Sequence, residues 1–396
     1  MYINFPLTKK KSIAIVPDRF ALYRYPVFKA ISNQLEPEIR VVIYADTSED
    51  STKVKIVNSD FCNDSLKDGG IRWRKIKSFY VKHVCVWQTG LIRLALLDDC
   101  RVIIYWGEAN RLSTWVSATL ARCVGKKVVF WTHGLYGNEN IIKRVFRTWF
   151  YKLADVLLLY GEYGKKNLSR VGIPSNRMFV INNSLNVERQ INIINKVDVA
   201  DLQLLRNKFC PNFERLLIFV GRLEKSKRLD LLFYSLVRLK KQGIRTRAIL
   251  IGTGSQEASL RSLAKALSIL DSVIFWGECY DDDKVLPILS ISDVCVSPGE
   301  VGLTAMHSLI CGTPVITHND FSEQMPEFEA IKPGKNGFFF RRGDVEDLTE
   351  KICDCFQAID AGRITKKTCC EVIEKYYTPK YQKLIFYRAI FPLLFG

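Results

Sequence analysis

The chain lacks any run of the roughly 18–20 apolar residues that a membrane-spanning helix needs. Its most apolar tail, Leu384 to Phe395, is short and interrupted by Arg388 and Pro392. It also lacks a secretory leader, because MYINFPLTKKKSIAIVPD passes from a short polar stretch straight into a strand-like run. These absences predict a cytoplasmic protein. Paired metal-type cysteines are missing as well: the twelve cysteines are scattered, and Cys353/Cys355 and Cys369/Cys370 have the wrong spacing for zinc. Ordinary thiols in a reducing compartment fit that pattern better than disulfides or metal. Histidine is scarce, with four in the chain, so one beside a motif carries information. No internal repeat or low-complexity tract is visible.

Acidic residues are in short supply. Lys and Arg number 58 against 41 Asp and Glu, a net charge of +17. That excess favours an anionic partner: nucleic acid, an acidic membrane face or a phosphorylated substrate. The basic residues are dispersed and form no recognised nucleic-acid motif, which speaks against the first.

What is present is material for two cores. A length of 396 residues exceeds what one hydrophobic core usually serves, and 48% of the residues are hydrophobic. Short apolar runs alternate with helical periodicity, the signature of parallel sheets with crossover helices. In the first half the expected strands are Ser12–Val16, Arg40–Tyr44, Arg101–Tyr105, Lys127–Trp131, Val156–Leu159 and Phe179–Ile181. In the second they are Leu216–Val220, Ala248–Ile251, Val273–Phe275, Val294–Val296, Pro314–Thr317 and Phe338–Phe340. The pattern weakens into a polar stretch between the halves. The expected α/β organisation is a first Rossmann-like domain over 1–190, a linker over 191–212, a second domain over 213–375 and a carboxy-terminal helix over 376–396 that packs back on the first. Two doubly wound domains would bind a ligand in a central cleft, at the carboxyl ends of their strands.

Two segments carry chemistry. In LLIFVGRLEKSKRLDLLFYSL, residues 216–236, a buried strand ends at Gly221 and a basic loop leads into a helix. Arg222 and Lys227 sit where cations and backbone N–H groups hold phosphate oxygens; a solvated basic loop is the alternative. In SDVCVSPGEVGLTAMHSLICGTPVITH, residues 292–318, a strand runs through a turn into a second helix start. Gly302 allows close backbone approach, and the N–H groups of Leu303 and Thr304 form an anion site. Glu300 lies in the turn before this positive end, as a ligand contact or as a charge stabilising the helix. Gly252-Thr253-Gly254 is a weaker glycine loop that a tight turn explains equally well.

In this order and spacing the two segments, with Pro326-Glu327, Gly337 and Gly343-Asp344, resemble glycosyltransferase family 4, the retaining group with the GT-B fold. The resemblance covers about Leu216 to Asp347. It implies that Arg222 and Lys227 grip the diphosphate of a nucleotide sugar, with Gly221 and the Gly302–Thr304 helix start on the donor as well. It also implies hexosyl transfer with retention, a nucleotide diphosphate sugar as co-substrate, no other cofactor and no obligatory metal. The family usually carries Glu-x7-Glu across the second segment; aligned on Gly302-Leu303, those positions are Gly299 and His307, with Glu300 displaced by one. His307 would then face the ribose with one acceptor nitrogen in place of two carboxylate oxygens, unless it is a histidine satisfied inside the domain.

The first half resembles the family less. FWTHGLYGNEN, residues 130–140, places His133 and Gly134 just after a strand, where the family has a functional histidine. The glycine pair usual after the first strand is replaced by ALYRYPVFKAI, residues 21–31. There Tyr23 and Arg24 either touch the acceptor or begin a helix. NIIKRVFRTWFYKL repeats apolar residues at helical spacing, with Lys143, Arg144, Arg147 and Lys152 on other faces. Such a helix suits an acidic membrane surface, and equally a core with a solvated face. Membrane-linked acceptors in the family favour peripheral contact with the inner face of the plasma membrane. The reading is therefore a glycosyltransferase acting on a saccharide or lipid-linked acceptor, in bacterial surface-polysaccharide, capsule or lipopolysaccharide biosynthesis, without nucleic acid. The alternatives are a nucleotide-sugar epimerase or hydrolase on the same fold, and a non-catalytic nucleotide-sugar or nucleic-acid-binding protein.

Overall fold

The computed structural model describes residues 11–35, 39–46, 71–81, 84–211 and 215–395. Of the amino-terminal stretch read for a leader, residues 1–10 lie outside them. The chain divides into two compact units, residues 1–185 with 379–396 and residues 186–378. Each is built on a parallel sheet.

In the first unit the strands are β1 (Lys11–Val16), β2 (Ile39–Ala45), β3 (Trp73–Lys75), β4 (Ser78–Val81), β5 (Val84–Gln88), β6 (Val102–Trp106), β7 (Lys127–Thr132), β8 (Val156–Leu159) and β9 (Met178–Val180). The helices are α1 (Tyr25–Leu35), α2 (Leu91–Leu96), α3 (Leu112–Cys123), α4 (Ile141–Lys152) and α5 (Glu162–Arg170). Seven strands form one sheet in the order β3-β2-β1-β6-β7-β8-β9, while β4 and β5 make a separate antiparallel hairpin. Strands β1, β6, β7 and β8 read as unbroken apolar runs because helices cover both faces of a parallel sheet.

In the second unit α6 (Val187–Lys196) and α7 (Val199–Phe209) precede β10 (Arg215–Val220). Then follow α8 (Leu229–Lys241), β11 (Thr246–Ile251), α9 (Glu257–Ala266), β12 (Val273–Gly277), α10 (Asp282–Ile291), β13 (Val294–Ser297), α11 (Leu303–Ile310), β14 (Val315–His318), β15 (Gly337–Phe340), α12 (Val345–Asp360) and α13 (Lys366–Tyr376). The sheet order is β12-β11-β10-β13-β14-β15. Both sheets are doubly wound, and each reverses its strand order once, between β1 and β6 in the first unit and between β10 and β13 in the second. Ligands of such sheets bind outside the carboxyl ends of the strands at that reversal.

One expectation needs correction. Most of residues 191–212, read as a linker, are helical: α6 and α7 pack against α10 inside the second unit. The polar residues that suggested a linker are partly helix caps. Asn186 accepts from the Arg189 N–H and Asp198 from the Ala200 N–H. Val187, Gln190, Ile193 and Ile194 form the buried stripe of α6.

The carboxy-terminal helix α14 (Pro379–Phe395) lies in the first unit. Ile385, Phe386, Ala389, Ile390 and Leu394 join the core formed by β1, β6, β8 and α1. Gln382, buried there, donates to the Asn182 carbonyl and accepts from the Ser184 hydroxyl.

Candidate functional site

The second unit builds its site from the loops after β10 and β13, the two neighbours at the strand-order reversal. After β10 the chain passes Gly221 and Arg222 and makes a 3-10 turn over Lys225–Lys227 before α8. After β13 it passes Pro298, Gly299 and Glu300 before α11. The loops are joined directly. The Gly299 N–H donates to the Lys227 carbonyl at 2.9 Å. Lys227 Nζ donates to the Glu300 carbonyl at 3.0 Å and to its Oε1 at 3.1 Å. A Cβ on Gly299 would lie 2.0 Å from the Ser226 carbonyl oxygen, so only glycine lets these loops meet.

Lys227 and Glu300 thus form an ion pair, half-buried, and their charges largely offset one another. Arg222, in the same loop after β10, is exposed and makes no ion pair among the described residues. The helix α11 begins at Leu303 without a side-chain cap, so its first N–H groups keep their hydrogen-bonding capacity. Thr304 is only partly available: its hydroxyl donates to the Val220 carbonyl at 2.8 Å and ties α11 to the end of β10. Gly302 differs from Gly299. A Cβ there would meet only Met325 Cγ, at 4.0 Å, so the fold itself does not demand glycine at that position. Arg228, just after the 3-10 turn, holds a left-handed backbone (φ 49°). For a non-glycine residue that conformation costs on the order of 1 kcal/mol.

His307 is placed otherwise than expected. Its Nδ1 is hydrogen-bonded to the Gln190 side-chain nitrogen of α6 at 2.7 Å, and burial pushes its pKa down. A neutral imidazole has one acceptor nitrogen, and Gln190 occupies it when its amide N–H donates. The ring therefore holds α11 to α6 and has no second acceptor for a ribose hydroxyl.

The sequence reading missed the far wall. A cavity of about 150 Å³ is bounded by Ser226, Arg228, Glu300, His318, Glu323 and Arg342 among others. Gln324, buried beneath it, accepts from the Val301 N–H at 2.7 Å. It donates to Thr317 Oγ1 at 2.8 Å and to the His318 carbonyl at 3.0 Å. Arg342 pairs with Asp320 at 2.8 Å. Burial, with Arg342 nearby, lowers the pKa of His318 to about 4. His318, Glu323, Gln324 and Arg342 follow or end β14 and β15; the resemblance marks Pro326-Glu327, Gly337 and Gly343-Asp344 in this stretch but not these four side chains.

The first unit has its own site at the corresponding sheet edge. Arg111, fully buried, bridges Asp18 in the loop after β1 at 3.2 Å and Glu108 in the loop after β6 at 2.9 Å. Tyr23 and Arg24 form a 3-10 turn before α1. The Arg24 guanidinium is committed: Nε donates to the Tyr23 hydroxyl at 3.0 Å, and the group lies over Trp106 (4.7 Å) and Tyr160 (5.3 Å). His133 follows the end of β7, and Gly134 turns the chain with φ 73°. The imidazole packs on Tyr160 with centroids 4.6 Å apart. Burial first, reinforced by Arg24 and Arg147, lowers its pKa to about 4, so it is neutral at physiological pH. Its Nδ1 is buried with no hydrogen-bond partner among the described residues. His133 lines a cavity of about 310 Å³ with Glu108, Asn110, Tyr136, Lys143, Phe146 and Arg147. Arg147 pairs with Glu139 at 3.1 Å and also donates to the Gly134 carbonyl.

With both sites described, comparison with known proteins becomes informative. Residues 205–357 match the family model of group 1 glycosyl transferases. That stretch lies within the second unit and includes Arg222, Lys227, Glu300 and the start of α11. The chain is 35% identical over 115 residues to a GDP-mannose-dependent alpha-(1-6)-phosphatidylinositol dimannoside mannosyltransferase of Mycobacterium tuberculosis, covering 28% of this chain and 29% of that enzyme. The match thus spans under a third of that relative's length. Among solved structures, Anabaena HepE in complex with UDP superposes with a TM-score of 0.70 at 14% identity, over 96% of this chain and 100% of that one. A glycosyltransferase from Rickettsia africae superposes with a TM-score of 0.71 at 15% identity, over 98% and 99%. At such identities the likeness establishes the fold alone: two Rossmann-like domains, the GT-B fold.

Proposed function

We propose that this protein is a retaining glycosyltransferase that moves a hexosyl group from a nucleotide diphosphate sugar to a saccharide or lipid-linked acceptor. The observation that carries the reading is the junction of the β10 and β13 loops in the second unit. There an exposed Arg222, the Lys227 ammonium and the uncapped start of α11 are gathered at one sheet edge. Those are the groups that stabilise charge growing on a leaving diphosphate, and fixed donors need not reorganise during the reaction. Glu300, held by Lys227, is the carboxylate placed to accept hydrogen bonds from donor-sugar hydroxyls. On the first unit, neutral His133 with its unpartnered nitrogen takes a hydroxyl of the sugar or acceptor.

With Arg222 and the uncapped start of α11 available to the diphosphate beside the Lys227–Glu300 pair, we propose that transfer needs no metal. Among the described residues no helix is long and apolar enough to cross a membrane. We propose that the protein works at the cytoplasmic side in surface-polysaccharide, capsule or lipopolysaccharide assembly, with α4 resting on the acidic inner face of the plasma membrane. Calorimetric titration of UDP, GDP and ADP into the wild type and Arg222→Ala, with and without EDTA, tests the donor site. One diphosphate binding tightly, unaffected by EDTA and weakened about tenfold or more in the variant, supports the reading. Equal binding to both proteins, or to neither, overturns it.

A further inference from the structure

The first unit's cavity opens beside an unusual helix face. Residues 141–146 of α4 are all exposed, Ile141, Ile142 (82% accessible), Val145 and Phe146 among them, and Trp149 further along is 67% accessible. Its sequence, IIKRVFRTWFYK, contains four cations and no acid. Phe146 belongs to both features, being exposed on α4 and part of the cavity wall. Lys143 and Arg147, one turn apart on the helix, line the same cavity. Lys143 makes no ion pair among the described residues, and the buried, unpartnered His133 Nδ1 lines the cavity with it.

We infer that this cavity takes an amphiphile carrying a phosphate: the phosphate lies against Lys143 and Arg147, the polar remainder enters toward His133, and the chain lies along the apolar face of α4. The inference rests on the reading of the first unit as the acceptor side. It narrows the saccharide or lipid-linked acceptor to a phosphate-bearing lipid. Two features favour that occupant over a neutral glycolipid or a free anion. Arg147 is already paired with Glu139 and Glu108 is tied to Arg111, so Lys143 is the cation of this lining that a neutral glycolipid would leave without a counter-charge, and a small anion would leave five large apolar side chains in water.

The test uses the full chain and three probes below micelle-forming concentration: dodecyl phosphate, dodecyl maltoside and inorganic phosphate. The expected result is one molecule of dodecyl phosphate per chain, bound at least about tenfold more tightly than either other probe. Lys143→Ala weakens it about tenfold, the effect of one charge-assisted contact. Ile142→Ser weakens dodecyl phosphate and leaves inorganic phosphate as it was. Both side chains are exposed, so these variants keep their fold. Dodecyl maltoside binding as tightly would reduce the face to a general apolar patch and overturn the inference. So would inorganic phosphate binding as tightly, binding spread over many sites and indifferent to Lys143→Ala, or no binding. Arg222→Ala leaves dodecyl phosphate binding unchanged. A wild type that binds dodecyl phosphate but no nucleotide therefore refutes the donor site alone, and one that binds nucleotide but no dodecyl phosphate refutes this site alone.

Discussion

Gly299 is the position where fold and proposed chemistry meet most tightly. A methyl group there would stand 2.0 Å from the Ser226 carbonyl oxygen, 2.7 Å from Lys227 Cα and 2.8 Å from the Lys227 carbonyl carbon. All three are backbone atoms, so no rotamer change relieves the overlap. The β10 and β13 loops would have to separate by about 1 Å or more to restore normal contact. That separation stretches the 2.9 Å bond from Gly299 to Lys227 and the 3.0 Å and 3.1 Å bonds from Lys227 to Glu300 beyond useful length. Overpacking costs about 1–3 kcal/mol and each lost hydrogen bond roughly 1 kcal/mol more, so Gly299→Ala should destabilise the second unit by about 2–4 kcal/mol. For a domain of that size, the midpoint of thermal unfolding should fall by about 5–15 °C.

Gly302→Ala is the control. Met325 Cγ at 4.0 Å is its nearest new neighbour, so its melting temperature should match the wild type. If a diphosphate lies against the start of α11, however, the added methyl occupies the ligand's space. Gly302→Ala should then lose the thermal shift that UDP, GDP or ADP gives the wild type. Scanning calorimetry of the three proteins with and without nucleotide separates these effects. A Gly299→Ala protein that melts with the wild type would show that the loops are not locked there. A Gly302→Ala protein with an undiminished nucleotide shift would remove the diphosphate from the start of α11.

Two further outcomes follow from buried polar groups. Gln324→Ala leaves the Val301 N–H without its acceptor and should cost about 2–4 kcal/mol, with faster hydrogen exchange at Val301 as the measurement. His133 and His318 have pKa values lowered to about 4 from an ordinary 6.5, so each adds stability that is complete above pH 6.5 and lost as the pH falls toward 4. His133 contributes up to roughly 3 kcal/mol to that loss, and His318, less fully desolvated, contributes less. His133→Asn should accordingly flatten the fall in unfolding free energy between pH 6.5 and 4, and an unchanged slope would mean that His133 is not buried neutral.

Much of the fold was legible because buried parallel strands are nearly continuous apolar runs. The expected Lys127–Trp131 is observed as Lys127–Thr132, and Val156–Leu159 is observed unchanged. What escaped were elements without that signal. Strands β3 and β4 are short and half-exposed, so their residues do not form an apolar run. The helices α6 and α7 were hidden by polar residues that serve as caps. The second site was partly legible for the same reason as the strands: a buried strand followed by glycine and a helix start is a local pattern. Gln324, His318 and Arg342 were not, because their relation to Glu300 is made by the order of β13, β14 and β15 in the sheet. Gly299 was read as a missing carboxylate, whereas the structure gives it a positive role that no other residue could fill.

The two units use one topology for different chemistry. In each, the strand order reverses between neighbours, β1 with β6 and β10 with β13, the place where such sheets leave a crevice outside the carboxyl ends of their strands. In the second unit that opening gathers an exposed arginine, a lysine and a helix start, all suited to concentrated negative charge. In the first, the corresponding loops are tied by a buried arginine between two carboxylates and lined by aromatic rings and a neutral histidine. Aromatic faces and uncharged hydrogen-bonding nitrogens suit hydroxyl-bearing rings better than diphosphates. The proposed division of labour, with a diphosphate-bearing donor on the second unit and a hydroxyl-bearing acceptor on the first, rests on what each unit places at its reversal. Lys143 and Arg147 of α4 line that cavity from a different element, and on the proposed reading they bear on the charge the acceptor carries beyond its sugar.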